Sequence, residues 1–434
     1  MRAPAPDLSP VDGPNAGATG VAIASVSARR ADALALTLMS FLALNAVSLS
    51  LVPIVAPQLQ DTFALSASRI GLLTSAYSLA VSLTAIPMGL AAQRWGGRVM
   101  LVAVAVFALG SLVFAFGSSF EWFMVGRFLQ GIGAGAGVPV GTTLIAHAIT
   151  PSLRSRALGY FGAGMGAGMI GSLLILPSIQ RAGGFRAVFL AAAAVSVLVA
   201  AGAVWQRAVR AVPLHVDGAL PLRAAGGALA AAVRNPGVLL IAVMNLAGLA
   251  VVVGLLAWTP GLLQDHARSS LAVAAYLTAG VGIATLIGNP LGAVAQARWG
   301  KAPVLVVTLG MCCGTTALIP LAAGLTATFV VVSIDGFFAA AMLPPLLGAI
   351  PEVVARPEQV GAASGLMALL TFGGSLLAPW FFGALLDAHG RGAGQSGYLD
   401  GYLMLAGLAF AGALAAVAFW LMRRRGRLSL SLRP

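Results

Sequence analysis

Long apolar stretches alternate with short polar segments along almost the whole chain. Each stretch has about 20 residues with almost no charge, long enough to cross a bilayer core of about 30 Å as a helix. We count twelve of them, six on each side of a polar interval. Those before the interval lie at about 33–57, 70–92, 99–117, 121–149 and 157–179, with a sixth after Phe189. Those after it lie at about 237–260, 271–296, 302–324, 327–350, 361–386 and 402–422. The pattern predicts an all-α membrane protein with twelve transmembrane helices, numbered here as spans 1 to 12.

The two halves of the chain carry related sequences. Residues 87–98 read PMGLAAQRWGGR and residues 290–301 read PLGAVAQARWGK, an offset of 203 residues at the prolines and 204 at the tryptophans. Further on, Pro139, Pro151 and Gly159 recur at an offset of 206 as Pro345, Pro357 and Gly365. A repeat that keeps its order indicates a tandem duplication. We therefore expect two pseudo-symmetric six-helix bundles with the same orientation, like the parallel repeats of some transporters.

Composition shifts mark the predicted domain boundaries. Residues 1–31, rich in Pro, Gly, Ala and Ser, form a disordered cytoplasmic tail, and residues 32–206 form the first bundle. The only long polar interval, 207–235, is a cytoplasmic linker; the second bundle covers 236–422, and 423–434 is a basic cytoplasmic tail.

The charge distribution gives an orientation. The chain is 59% hydrophobic and 9% charged, so most of its surface must face lipid. The net charge of +13 would suggest a nucleic-acid partner in a soluble protein. If both termini are cytoplasmic, however, 19 of the 25 Lys and Arg lie in cytoplasmic segments, 5 in outer loops and 1 in a span. This positive-inside distribution predicts a bacterial inner-membrane protein without a nucleic-acid partner. We expect a monomer.

The repeated turn after spans 2 and 8 is the first candidate functional element. It resembles the signature Gly-x-x-x-Asp-Arg-x-Gly-Arg-Arg/Lys of the major facilitator superfamily, with Gln93 in place of the aspartate and Gly97 in place of an arginine. The resemblance implies a charge network that clamps the halves on the cytoplasmic side, to which Gln93 brings no charge. The predicted gating residues of the two turns are Gly89, Gln93, Arg94, Gly96, Arg98, Gln296, Arg298 and Lys301.

Span 4 carries a second resemblance to the same superfamily. Arg127, Gln130 and Gly131 share one helix face and match the signature Arg-x-x-Gln-Gly-x-Gly. The resemblance implies that Arg127 faces the central cavity, where it serves in proton coupling or contacts an anion. A second interpretation stays open: Arg127 is about 8 Å deep at 1.5 Å per residue and could extend outward to the membrane surface.

Span 5 is unusually rich in glycine. Spacings of four predict a close-packed helix face, and the predicted packing residues are Gly162, Gly166, Gly168 and Gly171. The frame Gly166 to Gly171 resembles the Gly-Pro-x-x-Gly-Gly signature of the drug and small-molecule proton antiporter branch, but it lacks the proline.

Polar residues deep in other spans complete the predicted substrate and proton pathway. Asp335 is the only acid that we place deep in a span, about 12 Å from the outer boundary at 1.5 Å per residue. A carboxylate there must be protonated, paired or hydrated; alternatively, Asp335 is a satisfied polar contact near the interface. We also predict an ion pair between Arg127 and Asp335 in the outward-closed state. The predicted pathway residues are Asn45, Arg127, Gln130, Asn245, Trp258 and Asp335.

Motifs for catalysis and cofactor binding are missing from the sequence. The four histidines have no metal-ligand spacing, and no phosphate-binding loop ends in Gly-Lys-Ser/Thr. We predict a protein that is not an enzyme and has no cofactor: a secondary transporter that moves a small organic solute by alternating access, coupled to protons, with efflux as one direction. The leading hypothesis is a weakly polar or cationic solute, with Asp335 carrying the proton or the counter-charge. Uptake of a small organic anion through Arg127 is the alternative, and a channel or a non-transporting membrane sensor is the alternative of another class.

Overall fold

The structure is a computed structural model that describes residues 28–149, 151–205, 230, 232–354, 359–392 and 394–425. Residues 1–27 of the predicted N-terminal tail, most of the linker and the end of the basic tail lie outside the described residues. Helices occupy most of the described segments, and no strand occurs in them. The first helix already begins at Ala28, inside the segment that the sequence assigns to the tail.

The helices follow the predicted spans closely. In the first half, spans 1 to 4 are Ala28–Phe63, Ala67–Trp95, Arg98–Phe116, and the pair Phe120–Ala134 and Gly137–Ala148, while spans 5 and 6 share Pro151–Trp205. In the second half, spans 7 to 12 are Pro236–Asp265, the pair Leu271–Thr278 and Gly280–Trp299, Lys301–Leu318 with a 3-10 turn at Ile319–Leu321, the pair Gly324–Ala341 and Leu343–Val353, Gln359–His389, and Gly397–Arg424.

Spans 5 and 6 are two membrane crossings joined by a sharp bend. Inside the 55-residue helix, Gly183 (φ −145°) and Gly184 (φ +67°) leave the helical conformation. The positive φ of Gly184 is one that side chains with a Cβ rarely adopt. Eleven helices in the described residues are long and apolar enough to span a membrane, and the bend divides one of them in two. The prediction of twelve transmembrane helices in an all-α membrane protein is confirmed.

Span 1 defines the two sides of the molecule. We call the side at which it begins the near face and the opposite side the far face. Both repeated turns lie at the near face, where Gly96 (φ +56°) ends span 2 and Gly300 (φ +83°) ends span 8. A positive φ favours glycine, which explains why the Trp-Gly pair recurs in the two copies.

Spans 4 and 10 are each interrupted at equivalent places. The breaks lie at Gly135–Ala136 and at Met342. Pro139 and Pro345, which stand 206 residues apart, follow just after them. A proline inside a helix removes one backbone hydrogen bond and its ring crowds the preceding turn. The duplicated prolines therefore account for breaks at the same position in both halves.

The glycine face of span 5 differs in part from the prediction. A Cβ built on Gly168 would lie 2.3 Å from the backbone oxygen of Ala43 in span 1, and one on Gly164 would make a similar contact one turn earlier. A Cβ on Gly166 would meet Leu286 of span 8 at 2.5 Å. A Cβ on Gly162 or Gly171 would meet no described atom within 4 Å, so the close packing predicted there is wrong.

The two halves meet at the far face. Among the described residues, the hydrogen bonds between them join Ala67 and Ser68 to Asp387, Gln60 to Arg391, Ser75 to Leu376 and, at mid-depth, Ser82 to Leu369. The described ion pairs at the near face lie within one half: Arg156 with Asp32 (2.9 Å), and Lys301 (2.6 Å) and Arg423 (3.0 Å) with Glu352. The described hydrogen bonds therefore hold the halves together from the far face to mid-depth.

Candidate functional site

Arg127 is at the centre of a buried polar cluster in the first half. Its side chain is wholly buried. Nη1 donates to the side chain of Ser48 (2.9 Å) and to Gln130 Oε1 (2.8 Å), and Nε donates to the carbonyl of Leu73 (3.2 Å). The guanidinium carbon lies 4.6 Å from the ring centroid of Tyr77, a cation–π distance. Arg127 thus contacts spans 1, 2 and 4, and extension to the membrane surface is excluded.

Hydrogen bonds extend the cluster to two further side chains. Gln130 donates through Nε2 to the hydroxyl of Ser111 in span 3 (2.8 Å). The Tyr77 hydroxyl donates to Asn45 Oδ1 (2.5 Å), and Asn45 Nδ2 donates to the carbonyl of Ala134 (3.0 Å). Asn45 is the one partly exposed member of this set. The structure therefore brings together three predicted site residues, Asn45, Arg127 and Gln130.

Among the described residues, Arg127 has no acidic partner. No acidic side chain in the described part of the chain lies within ion-pair distance of it, and Nη2 has no hydrogen-bond partner there. The predicted ion pair with Asp335 is absent although the far face is closed. Each of the two side chains forms its described bonds within its own half, so this prediction is wrong for the conformation seen.

Asp335 lies in a separate buried cluster of the second half. Its carboxylate accepts hydrogen bonds from Thr315 (2.5 Å) and Thr316 (3.0 Å), both on span 9. Like Arg127, the side chain is wholly buried. The carboxylate has no cation within ion-pair distance among the described residues. Within the described segments, this buried acid is therefore held by neutral groups: the two threonine hydroxyls, with the Cys312 thiol 3.8 Å from its backbone carbonyl oxygen.

The remaining predicted pathway residues lie on span 7. Asn245 donates through Nδ2 to Thr371 of span 11 (2.8 Å). Trp258 stacks on Phe382 of span 11, with ring centroids 5.3 Å apart. Its Nε1 is buried and has no partner in the described part of the chain. Both residues thus connect span 7 with span 11. Neither forms a described bond with the Arg127 cluster.

The repeated turns place their residues differently in the two halves. The side chains of Gln93 and Arg94 lie outside the described residues. Gly89 packs against Pro139, and Arg98 is exposed. In the second copy, Lys301 bonds to the carbonyl of Gly348 and to Glu352, while Arg298 is exposed. Gln296 has a buried Oε1 without a partner in the described segments.

Sequence reasoning missed Tyr77 and Asp387. A single tyrosine in an apolar span looks like a packing residue, and only the fold brings its hydroxyl to Asn45 and its ring to Arg127. Asp387 stands near the end of span 11, where an acid is expected to face water. Its partners lie 320 and 319 residues away, at Ala67 and Ser68.

Comparison with known proteins now decides the family. The family description "Major Facilitator Superfamily" matches residues 36–332 and 262–433, which is most of the chain. The chain belongs to the major facilitator superfamily. The predicted membership of this superfamily of transporters and its twelve-helix fold are confirmed.

Curated relatives are named as transporters. The hexuronate transporter of Bacillus subtilis is 26% identical over 410 residues, covering 89% of this chain and 94% of the relative. The 4-hydroxybenzoate transporter PcaK of Pseudomonas putida is 30% identical over 147 residues, 34% of this chain and 33% of the relative. The uncharacterized MFS-type transporter YhcA of Bacillus subtilis is 33% identical over 141 residues, 32% of this chain and 26% of the relative. The chain therefore aligns with about a quarter to a third of the last two.

Solved structures share the fold. A bacterial homologue of the human lysosomal transporter Spinster, in an inward-facing and occupied conformation, superposes with a TM-score of 0.72 at 20% identity, covering 92% of this chain and 98% of that one. A variant of the nucleoside transporter NupG gives a TM-score of 0.69 at 14% identity, covering 89% and 99%. At these identities the likeness concerns the fold alone.

Proposed function

We propose that this protein carries a small organic anion across the bacterial inner membrane by alternating access, together with a proton. The observation that carries the proposal is the buried guanidinium of Arg127, which has no acidic partner in the described residues and one unpartnered nitrogen. Burying an unpaired charge is costly. A substrate carboxylate that reaches Arg127 supplies the missing counter-charge.

The Arg127 cluster supplies a route to that charge. Asn45 is partly exposed and is bonded to Tyr77, whose ring lies against the guanidinium. A guanidinium presents its donors in a planar fork that matches a carboxylate. Arg127 forms its described bonds through Nη1 and Nε, so Nη2 is the donor left for a substrate oxygen. In this proposal, Asn45 and Tyr77 determine how the substrate reaches the cluster, and Arg127 binds the substrate carboxylate.

Asp335 is the proton carrier in this proposal. Thr315 and Thr316 are its described side-chain partners, so a neutral, protonated carboxyl suits its surroundings better than an isolated charge. The bonds to span 9 also disfavour Asp335 as the contact for a cationic solute. We therefore place the anion, which was the alternative on sequence grounds, ahead of a cationic or weakly polar solute.

The relatives support the substrate class and the charge distribution supports the orientation. Two of the relatives are named as carriers of acids, hexuronate and 4-hydroxybenzoate. The segments that the sequence assigns to the cytoplasmic side contain 19 of the 25 Lys and Arg, and the repeated turns, which lie at the near face, are among these segments. By the positive-inside rule, the near face is therefore the cytoplasmic one in this proposal. Closure at the far face then corresponds to an inward-facing conformation, in which both termini are cytoplasmic.

Transport assays with matched acids and neutral compounds test the proposal. Purified protein in proteoliposomes is given radiolabelled galacturonate or 4-hydroxybenzoate, with galactose and 4-hydroxybenzyl alcohol as uncharged counterparts. We expect accumulation of an acid against its gradient when the outside is more acidic, and none of its counterpart. Removal of one member of a buried charge pair costs about 2 kcal/mol or more. Arg127→Gln should therefore lower acid uptake about 30-fold or more.

The control is Arg181→Gln, which removes an exposed arginine from the same half and should leave uptake unchanged. Thermal unfolding of both variants shows whether they fold. Equal uptake of the acids by folded Arg127→Gln and wild type would reject the anion site. Flux that never runs uphill would indicate a channel, and no flux of any solute would indicate a sensor.

A further inference from the structure

The far-face contact between the halves is centred on one carboxylate. Asp387, two residues before the end of span 11, accepts hydrogen bonds from the backbone N–H groups of Ala67 (2.7 Å) and Ser68 (2.8 Å). These are the first two residues of the span 2 helix. The carboxylate therefore binds the N-terminus of a helix that belongs to the other half of the molecule.

Elementary chemistry makes this contact a strong one. The first four N–H groups of a helix have no partner within it, and the helix dipole favours negative charge at that end. Ser66 caps the same helix by accepting from Arg69 N (3.3 Å), so Ser66 and Asp387 share the free donors. Hydrogen bonds with an ionised acceptor are stronger than neutral ones. Separation of the halves at the far face breaks both bonds to Asp387.

Close backbone packing fixes the position of Asp387 at the helix end. A Cβ on Gly383, one turn before Asp387, would lie 2.4 Å from the carbonyl oxygen of Ala67. The backbones of spans 2 and 11 thus approach closely only because glycine is present at this point. A second bond between the halves, from Arg391 to Gln60 (2.7 Å), lies four residues after Asp387, just beyond the end of the span 11 helix. The side chain of Asp387 is therefore held at the helix end by the packing on both sides of it.

The duplicated position carries the opposite charge. By the offset of 206 that relates Pro151 to Pro357, the counterpart of Asp387 is Arg181 near the end of span 5. Arg181 is exposed, and its described side-chain contact is the hydroxyl of Ser178 (3.4 Å) in its own half. The counterpart of the span 2 N-terminus is that of span 8, where Ser270 accepts from Val273 N. Only the span 2 and span 11 side of the far face has a described carboxylate bound in this way.

We infer that Asp387 and the backbone N–H groups of Ala67 and Ser68 form a far-face latch that sets the balance between the far-closed and far-open conformations in the transport cycle. The inference rests on the proposed alternating access. Asp387 acts on conformation and not on the substrate, so it is a positioning residue for transport.

Distances between spin labels test the latch without any substrate. Labels are placed at Ser118 in the first half and His266 in the second, both exposed at the far face. In the wild type the short distance of the closed far face should dominate. Asp387→Asn keeps the shape and removes the charge, and should raise the ratio of long to short distances about tenfold, equivalent to about 1.4 kcal/mol.

Two controls are available in the chain. Arg181→Gln changes the duplicated position, and Asp400→Asn removes an acid of the same face whose described bonds, to His389 and Ser396, stay within the second half. Both should reproduce the wild-type distances. An unchanged distribution in Asp387→Asn, or an equal shift in Asp400→Asn, would overturn the inference.

A second variant removes a donor instead of the acceptor. Proline is tolerated at the first position of a helix, and Ser66 has the extended conformation (ψ 164°) that a following proline requires. Ala67→Pro therefore deletes one latch hydrogen bond and should raise the ratio of long to short distances about threefold, because the lost bond contributes about 0.7 kcal/mol or more. This variant decides the question if Asp387→Asn does not fold; unchanged distances would then refute the latch.

The readout also separates this inference from the proposed substrate. A protein whose latch variants shift the distances, but which takes up none of the acids, keeps the latch and loses the anion assignment. A protein that accumulates the acids, but whose spin-label distances do not change when Asp387 is replaced, keeps the anion assignment and loses the latch.

Discussion

Replacement of Gly71 by alanine should force the halves apart at the far face. Gly71 is on span 2, one turn after the helix start. A Cβ there would lie 2.3 Å from the carbonyl oxygen of Pro379, 2.7 Å from its carbonyl carbon and 2.9 Å from the Cα of Trp380. All three atoms are backbone of span 11, so no side-chain rotation can relieve the overlap.

The size of the effect follows from this geometry. An added carbon in a well-packed contact costs about 1 to 3 kcal/mol. The cost arises only when spans 2 and 11 are in contact. The gain in helix propensity from Gly to Ala, about 0.5 to 1 kcal/mol, applies equally to both conformations and cancels. The far-closed to far-open ratio should therefore fall about 5- to 150-fold, while the protein stays folded.

Spin-label distances between Ser118 and His266, together with thermal unfolding, provide the assay. Gly162→Ala is the matched control, because a Cβ at Gly162 meets no described atom within 4 Å. It should keep the wild-type distances. If Gly71→Ala shows the wild-type distances and uptake, the close approach of these backbones does not determine closure and the reasoning is refuted.

Other variants test the remaining clusters. Asp335→Asn should abolish uptake driven by a pH gradient in proteoliposomes while thermal unfolding shows an intact fold; unchanged uptake would remove Asp335 from proton coupling. Gly168→Ala should lower stability by about 1 to 3 kcal/mol because its Cβ meets backbone, measured by thermal unfolding; a rise in stability would contradict the packing. Tyr77→Phe removes the bond to Asn45 and should cost about 0.5 to 1.5 kcal/mol, and an unaltered melting temperature would show that this bond is not needed.

The fold was accessible from the sequence because lipid imposes a simple rule. A span needs about 20 apolar residues, and a duplicated turn gives the number and orientation of the halves. The bend between spans 5 and 6 also had a sequence signal, the pair Gly183 and Gly184. Span ends were less accessible: the helix of span 1 runs on to Phe63, beyond the predicted limit near residue 57, because proline at Pro57 did not end it.

The polar clusters could be predicted only in part from the sequence. The i, i+3 spacing on one helix correctly predicted that Arg127 and Gln130 share a face, and they bond to each other. Contacts between spans have no such periodic signal. The choice of Thr315 and Thr316 as partners of Asp335 depends on how spans 9 and 10 pack. The role of Asp387 depends on contacts with residues more than 300 positions away in the sequence.

The paired proline breaks in spans 4 and 10 give each half its own hinge. Arg127 and Asp335 lie on the far-side helices, Phe120–Ala134 and Gly324–Ala341, whereas the short helices Gly137–Ala148 and Leu343–Val353 lead to the near face. Residues at helix ends absorb the dihedral changes of such motions. Bending at these two breaks would move the short helices Gly137–Ala148 and Leu343–Val353 at the near face, while Arg127 and Asp335 keep their described hydrogen bonds.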